Sequence, residues 1–406
     1  MLALLGDHDA RVRYYACESM YNICKVTRQG ECLLFFNELF DALSKLSADP
    51  ELSVKNGAEL LDRLVKETVA DQAAQYQVQH RTAEEHRQTG ETGAPAQHTV
   101  YDPALDANVL MVAPRFHPVF TLKRFIPLLS ERLNVINPFT RSFLITWLSV
   151  LQTLPSLDLL SHLPAFLGPL FEYTGDRHED VRTAAIDLLG AFLGDLQDVV
   201  LTRNEALEHS TADPSEVTDL GESTPTSMDR TVLVRPAIQW LPLLQMLIPF
   251  LRSTFPSTQA TALMWVNDFS ILAPKETLAC LPDLVRHIFP SLAMSVPIEI
   301  LSLARSAQKN LQMAVRSLPA LTEDSGETII PYDDTIAALL HHLNNVHEET
   351  RVASVAWCLM LQRSDPNAFR PFIDPLFPHL VRLLSDKSDA VLALLFFFSL
   401  ITWPVG

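Results

Sequence analysis

The sequence predicts an all-α protein built from stacked helical hairpins, and three observations lead to that fold class. Glycine is scarce, with 12 residues in 406, and proline is abundant, with 27. The prolines recur where one amphipathic stretch would end and the next would begin, as expected of many short helices. Apolar residues follow helical spacing, and similar stretches return about every 40 residues.

The repeated stretch is first seen in "LLGDHDARVRYYACESMYNI", near the start of the chain. A turn acid, Asp7, precedes Val12 and Arg13, and the small Ala16 comes four positions after the valine. We expect the acid to cap the helix, the valine and alanine to pack inward, and the basic residue to pair with turn acids of the same or the next unit. The later copies place their equivalent residues at Asp49, Val54, Lys55 and Ala58, at Asp176, Val181, Arg182 and Ala185, and at Val352 and Ala356.

The spacing of these copies predicts the architecture. Val12 and Val54 lie 42 residues apart, and Val352 and Val391 lie 39 apart. A period near 40 with two helices per unit is typical of HEAT and armadillo repeats. We therefore expect an α-solenoid of roughly eight hairpins, in which an A-helix precedes each turn and a B-helix follows it. The first unit is expected to lack its A-helix, which leaves one face of its B-helix open. That face contains Val12, Ala16, Met20 and Ile23.

Composition divides the chain into helical blocks and insertions. Two stretches break the helical pattern, one rich in Gln, His and Thr and one acidic and rich in Ser and Thr, and both are predicted to be flexible. The predicted divisions are residues 1–71, N-terminal HEAT units; 72–117, flexible insertion; 118–202, HEAT units; 203–234, acidic insertion; 235–320, HEAT units; 321–332, short loop; and 333–406, C-terminal HEAT units with an atypical apolar tail.

Charge and cysteine content limit the functional class. The chain has 48 acidic and 31 basic residues, a formal net charge of -17, which argues against nucleic acid as a partner. Five cysteines, an odd number, indicate a reducing compartment rather than a disulfide framework. The apolar stretch 391–405 is shorter than the roughly 20 residues that a membrane-spanning helix needs.

No catalytic motif is found in the sequence, so we expect no enzyme activity, no cofactor and no metal site. Cys358 and Arg363 resemble part of a cysteine phosphatase loop, but the spacing is one residue short and the stretch lacks glycine. Cys17 and Cys24 lie seven positions apart on one predicted helix and are interpreted as core residues. Cys32 alone does not complete a zinc site with them.

One basic group is a candidate partner surface. It consists of Lys123, Arg124, Arg132 and Arg141, the densest basic residues in the apolar middle of the chain. They could line a concave face that meets an acidic partner or an anionic lipid surface. The alternative is ordinary exposed charge with no partner.

Long stretches of the sequence resemble one family. They include "RVRYYACESMYNICKV", "FFNELFDALSKLSADPELSVKNGAELLDRLVKE" and "FIPLLSERLNVINPFTRSFLITWLSVLQ", within residues 9–70 and 119–196. These stretches closely resemble the Vac-type (vacuole morphology) HEAT-repeat scaffold of the phosphatidylinositol 3-phosphate 5-kinase complex. The stretch "FIDPLFPHLVRLLSDKSDAVL" also fits this family.

The resemblance implies a non-enzymatic scaffold on the cytoplasmic face of vacuole and endosome membranes, held there peripherally through its partners. Members of the family bind a FYVE-containing phosphatidylinositol 3-phosphate 5-kinase and an opposing Sac-type phosphoinositide phosphatase, and they self-associate. The assembly controls synthesis and turnover of phosphatidylinositol 3,5-bisphosphate. Compared with the family, we expect the chain to be truncated at both ends. Because the family's phosphatase binding and self-association are attributed mainly to its C-terminal half, kinase contacts through the repeats are the firmer expectation.

The residues leave a second function open. HEAT arrays also serve as transport receptors and as regulatory subunits of Ser/Thr phosphatases. Binding to the nuclear transport GTPase, or to a phosphatase catalytic subunit, would distinguish these adaptors from a lipid-kinase scaffold.

Overall fold

The computed structural model describes residues 1–88, 98–102, 107–111, 122–154, 157–211, 238–293, 296–321 and 330–402. In chain order the α-helices are α1 Ala10–Val26, α2 Phe36–Leu46, α3 Leu52–Gln88, α4 Leu122–Leu133, α5 Pro138–Gln152, α6 Leu163–Tyr173, α7 Glu179–Thr211, α8 Trp240–Leu247, α9 Pro256–Leu272, α10 Pro274–Ala279, α11 Leu281–Ile288, α12 Ile298–Leu321, α13 Tyr332–Leu343, α14 Glu348–Ser364, α15 Pro366–Phe369, α16 Ile373–Leu383 and α17 Asp389–Thr402. The strands are β1 His98–Asp102 and β2 Ala107–Met111. The 3₁₀ helices are Leu2–Gly6, Arg28–Phe35, Leu160–His162, Ile248–Arg252, Phe289–Leu292 and Arg370–Phe372.

The order of these helices confirms the predicted fold class of HEAT-like helical hairpins. Among the described residues the B-helices are α1, α3, α5, α7, α9, α12, α14 and α17. The A-helices that precede them are the 3₁₀ helix Leu2–Gly6 followed by α2, α4, α6, α8, α11, α13 and α16. A short 3₁₀ helix therefore occupies the place of the first A-helix, and its Leu5 is buried.

Four of the described B-helices begin at a capping turn that the sequence explains. Two positions before the cap residue, an Asp or Asn side chain accepts a hydrogen bond from the backbone N–H of that residue, which closes the turn. The bond is 2.9 Å long at Asp7, Asp49, Asn345 and Asp386. These Asp and Asn side chains thus fix the direction in which each of the four helices starts.

The inward-facing position lies three residues after the cap. Val54 and Val181 occupy it in α3 and α7, and Ala58 and Ala185 follow one turn later; all four side chains are buried. Val12, in the first hairpin, is half-buried. The small alanine allows the neighbouring helix to approach, because a longer side chain there would separate the two helices.

In α14 the register differs from the one that the sequence indicated. Val352 and Ala356 are only half-buried, whereas Thr350 and Ser354 are fully buried in the inward-facing positions. Thr350, and not Val352, is the position equivalent to Val12, because Arg351 follows Thr350 as Arg13 follows Val12. Threonine has nearly the shape of valine, and the Thr350 hydroxyl donates a 3.3 Å hydrogen bond to a backbone carbonyl of the preceding hairpin.

The segment predicted as the first insertion contains regular structure. Helix α3 continues to Gln88, past the predicted boundary at residue 71, because the sequence there is rich in Ala, Gln and Glu and has no glycine or proline. Strands β1 and β2 form an antiparallel hairpin that pairs His98 with Met111 and Asp102 with Ala107. This hairpin is the exception to the all-α prediction among the described residues. The rest of this insertion, and most of residues 203–234 and 321–332, lie outside the described residues.

The helices divide into two compact units, and each has an aromatic core. The first unit comprises residues 1–173 and 177–188. In it the ring centroid of Phe36 lies 5.2 Å from that of Trp147, and the centroids of Phe40 and Phe125 lie 5.0 Å apart. These rings come from α2, α4 and α5 and hold two successive hairpins together.

The second unit comprises residues 174–176 and 189–406. Phe269 packs there between Trp240 and Trp265, at centroid distances of 5.1 and 5.6 Å. Phe289 packs against Trp357 further along the chain. Both units therefore use a tryptophan near the middle of a B-helix as the largest buried side chain of a hairpin.

Candidate partner-binding surface

An arginine holds the first B-helix to the turn that precedes the second. The Nε and Nη2 atoms of Arg13 donate to the two carboxylate oxygens of Asp49, at 2.8 and 3.0 Å. Its Nη1 donates to the backbone carbonyls of Asp7 and His8, at 2.9 and 3.0 Å. One guanidinium thus joins two turns by four hydrogen bonds, and we call this arrangement the arginine clasp.

The arginine clasp recurs at the other end of the chain. Arg351 donates to both carboxylate oxygens of Asp386, at 2.6 and 2.9 Å, and to the carbonyls of Asn345 and Val346. The hydrogen bond from Arg351 lowers the pKa of the Asp386 carboxyl. In these two copies the basic residue pairs with a turn acid of the next unit, which is one of the two pairings that the sequence left open.

Lys55 and Arg182 are the basic residues of two other copies of the repeat, and each has a contact of its own. The Lys55 ammonium lies 3.5 Å from the centroid of the Phe139 ring, a cation–π contact between α3 and α5. Arg182 donates a 3.4 Å hydrogen bond to the carbonyl of Arg177 within its own turn. A lysine cannot form the clasp because its single ammonium lacks the planar fork of a guanidinium.

Close packing between α1 and α3 completes the rigid start of the chain. Gly57 of α3 faces α1, where an added Cβ would lie 3.3 Å from the Cβ of Cys17 and 3.6 Å from the ring of Tyr14. The glycine therefore allows the two helices to approach closely. Together with the Arg13 clasp, it fixes α1 on α3.

One side of α1 exposes large apolar side chains. Tyr15 is 62% exposed and Val26 is 79% exposed, and Ile23 is also exposed. Separations of 8 and 11 residues from Tyr15 place Ile23 and Val26 on the same side of the helix. The sequence had assigned Ala16 and Met20 to the open face, but both are buried. The sequence signal for the exposed side is the spacing of Tyr15 and Val26, which are three helical turns apart.

Two members of the predicted basic group serve packing between helices. Arg132, at the end of α4, pairs with Asp41 of α2 at 2.7 Å. The Asp41 carboxyl also accepts from Lys45, and these partners lower its pKa despite the opposing effect of partial burial. Arg141 donates to the carbonyl of Val135 at 3.0 Å, and its guanidinium lies 4.6 Å from the ring centroid of Tyr173.

The other two members of the group are exposed. Lys123 and Arg124 lie in the first turn of α4, and Arg132 lies in its last. Nine residues of helix separate Lys123 from Arg132, a rise of roughly 13 Å, so the four residues do not form one cluster. Lys123 and Arg124 are the members of the group that are open to a partner.

The cysteine of the phosphatase-like pair does not have the environment of a reactive thiol. Cys358 lies in the middle of α14 with no exposed surface, and burial raises the pKa of its thiol to about 12, the opposite of an activated nucleophile. In the part of the chain that the structure describes, no three His, Cys, Asp or Glu side chains are grouped as a metal site would require. No described helix is both long and apolar enough to cross a bilayer.

Comparison with known proteins now adds to this geometry. Residues 1–67 match the family described as the Vacuolar 14 Fab1-binding region. The matched segment comprises α1, α2 and the first part of α3, with the Arg13 clasp and the exposed apolar side of α1. The chain is also 35% identical over 418 aligned positions to the Schizosaccharomyces pombe protein named "Protein VAC14 homolog", which covers 97% of this chain. The resemblance to the Vac-type scaffold family is confirmed.

Two further Vac-type relatives support this. The Saccharomyces cerevisiae "Vacuole morphology and inheritance protein 14" is 42% identical over half of this chain, and an Arabidopsis thaliana VAC14 homologue is 28% identical over 96% of it. The alignments cover 50%, 22% and 40% of the S. pombe, S. cerevisiae and A. thaliana proteins, so the chain spans about half or less of the length of these relatives. The matched family is described by a binding partner, and this agrees with the prediction that the chain is not an enzyme.

Solved structures with similar helices were also compared. Two designed armadillo repeat proteins match 67% of this chain with 97% of their own, at 15% and 14% sequence identity and TM-scores of 0.27 and 0.30. Likeness at this level carries no weight for function. The fold assignment rests on the helices and turns of the chain itself.

Proposed function

We propose that this chain is a scaffold that binds a Fab1-type phosphatidylinositol 3-phosphate 5-kinase through residues 1–67. The match of this segment to the Fab1-binding region supports the proposal most strongly. The exposed side chains of Tyr15, Ile23 and Val26 offer apolar contact area on α1. Because the Arg13 clasp already holds α1 on α3, little conformational freedom would be lost on binding.

The finer proposal is that the scaffold also recruits an opposing Sac-type phosphoinositide phosphatase and so controls both synthesis and turnover of phosphatidylinositol 3,5-bisphosphate. Holding two enzymes on one surface raises the effective concentration of each near the other. We propose peripheral attachment to vacuole or endosome membranes through these partners. The family resemblance supports the phosphatase, self-association and the location, and Lys123 and Arg124 are proposed as a contact for an acidic segment of a partner.

The test is a pull-down of the purified kinase with the full chain. We expect the double variant Tyr15→Ser/Val26→Ser to weaken kinase binding at least tenfold, because it removes apolar contact area without changing a buried residue. The matched control is Ile271→Ser, which changes an exposed apolar residue of α9 in the second unit and should leave binding unchanged.

Two outcomes would contradict the proposal. One is that the unmodified chain recovers no kinase. The other is that it recovers a nuclear transport GTPase or a Ser/Thr phosphatase catalytic subunit from a cell extract in place of the kinase. Lys123→Glu/Arg124→Glu tests the basic contact separately, and unchanged binding of both enzymes to this variant would remove that part of the proposal.

A further inference from the structure

The first B-helix is held in place by few buried side chains. Helices α1 and α14 both have 17 residues, but α1 buries four of its side chains and α14 buries ten. Three of the four in α1 belong to alanine or cysteine, and the fourth is Met20. The 3₁₀ helix Leu2–Gly6, which occupies the place of a longer A-helix, adds one buried side chain, Leu5. Apolar packing therefore holds α1 less firmly than it holds α14.

The Arg13 clasp adds polar contacts where the apolar packing is weak. Its four hydrogen bonds join one guanidinium to the Asp49 carboxylate and to the backbone carbonyls of Asp7 and His8. The Arg13 and Asp49 side chains are 13% and 6% exposed, so water competes little for this bidentate pair. The clasp therefore ties the first turn of α1 to the turn that precedes α3.

A short series of contacts leads from the clasp to the exposed side of α1. Tyr14 follows Arg13 in the chain, and its ring lies 3.6 Å from the position of an added Cβ on Gly57 of α3. The Tyr14 ring also packs edge-on against the Tyr15 ring, with 5.4 Å between the ring centroids. The position of the exposed Tyr15 ring thus depends on how the first turns of α1 are placed on α3.

We infer that Arg13 and Asp49 are positioning residues for kinase binding, which fix the place of α1 on α3 and so the place of Tyr15. This inference rests on the proposed function of residues 1–67. Neither side chain has enough exposed surface to be a main contact for a partner, so each acts through α1. Without the clasp, α1 spends part of its time away from the position that the kinase binds, and the apparent affinity falls in proportion.

Three variants of the full chain break the clasp in different ways. Arg13→Met keeps the apolar stem and donates no hydrogen bond, Arg13→Lys keeps the charge without the planar fork, and Asp49→Asn removes the charge of the acceptor. We expect each variant to bind the purified Fab1-type kinase about fivefold or more weakly in isothermal titration calorimetry. The number of kinase molecules bound per chain should stay the same, because α1 changes position while the first unit stays folded.

A double-mutant cycle separates positioning from direct contact with the kinase. If both residues act only through the clasp, Arg13→Met/Asp49→Asn should bind the kinase no more weakly than Arg13→Met alone. Two separate contacts with the kinase would instead give losses that multiply. The matched control is Arg351→Met, which breaks the equivalent clasp in the second unit and should leave the kinase affinity unchanged.

Hydrogen exchange measures the position of α1 without the kinase. We expect the backbone amides of α1 to exchange faster in Arg13→Met than in the unmodified chain, while those of α14 exchange at the same rate in both proteins. This measurement shows whether the clasp holds α1, whatever the chain binds.

The inference and the proposed function fail in different ways. Unchanged kinase affinity in Arg13→Met, or unchanged exchange of the α1 amides, overturns the inference and leaves the proposed function standing. Binding that is retained in Arg13→Lys, or losses that multiply in the double variant, also overturn it, because Arg13 would then contact the kinase directly. Fewer kinase molecules bound per chain at unchanged affinity would mean that the variant unfolds, which contradicts a positioning role. If the unmodified chain binds no kinase, the proposed function fails and the inference fails with it.

Discussion

The Arg351 clasp shows how one side chain joins two hairpins. The Arg351 and Asp386 side chains are 16% and 6% exposed, so the pair is largely shielded from water. The Arg351 guanidinium also donates hydrogen bonds to two backbone carbonyls of the capping turn. Removing the arginine would leave a shielded carboxylate and two carbonyls without their donor, which costs more than the loss of an exposed ion pair.

We predict that Arg351→Met lowers the local stability of α14 and α17 by about 2 kcal/mol, since methionine keeps the apolar stem but donates no hydrogen bond. The matched control is Arg286→Met, whose pair with Asp283 is exposed on both sides and should cost less than about 0.5 kcal/mol. Hydrogen exchange of the backbone amides of α14 and α17 measures the effect. If the amides of α14 and α17 were equally protected from exchange in the two variants, the clasp would stabilise these helices no more than an exposed ion pair does.

His342 predicts a pH dependence in the second unit. Its ring packs on Phe289, and neither ring nitrogen has a hydrogen-bond partner among the described residues. Burial, with the nearby charges of His341 and Arg252, lowers the pKa of His342 to about 4. Because the unfolded chain takes up this proton near pH 6.5 and the folded chain does not, stability is full above pH 6.5 and falls as the pH drops from 6.5 towards 4.

We predict that His342→Phe removes this acid-dependent loss, because phenylalanine fills similar space and cannot be protonated. The unmodified chain should lose on the order of 2 kcal/mol between pH 6.5 and 4 from this group, and the variant should lose correspondingly less. Urea unfolding followed at several pH values measures the difference. Parallel stability curves for the two proteins over this range would contradict the assignment.

At the scale of helices, Gly57 tests the close approach of α1 and α3. We predict that Gly57→Val destabilises the first hairpins by about 1–3 kcal/mol, since its side chain would press on Cys17 and Tyr14. Gly190 of α7 is the matched control: nothing lies within 4 Å of its added Cβ, so Gly190→Ala should stabilise its helix by about 0.5–1 kcal/mol. Thermal unfolding of both variants shows whether the opposite signs are observed.

Helical hairpins of this kind are largely predictable from sequence, because turn acids, inward valines and small residues recur at a fixed period. The prediction is less accurate in α14. There the inward-facing position is Thr350, whereas the recurring valine pattern indicated Val352, two positions away. A sequence pattern counts threonine as a polar residue. Threonine can nevertheless pack like valine when its hydroxyl donates a hydrogen bond to a buried carbonyl, and the position of that carbonyl is known only from the fold.

Contacts between distant segments were the part that the sequence could not supply. The sequence groups Arg132 and Arg141 into one basic cluster. In the structure Arg132 pairs with Asp41 and Arg141 packs on the Tyr173 ring, and both partners lie on other helices. A linear pattern gives the type of a residue and its helix face, and the partner across the interface depends on packing.

At the scale of the whole molecule, the segment matched to the Fab1-binding region lies entirely in the first compact unit. In repeat proteins each hairpin contacts only its neighbours, so a change in one part is felt mainly nearby. Substitutions confined to the second unit should therefore leave the kinase-binding segment folded. This separation makes single-site variants informative about binding.

The most direct measurement is the dissociation constant of the full chain for the purified Fab1-type kinase, compared between the unmodified chain, Tyr15→Ser/Val26→Ser and Ile271→Ser. The account predicts specific binding that is at least tenfold weaker in the α1 variant and unchanged in the α9 variant. Absence of measurable binding by the unmodified chain, or equal affinity of all three proteins, would contradict the claim that residues 1–67 carry a kinase-binding surface on α1.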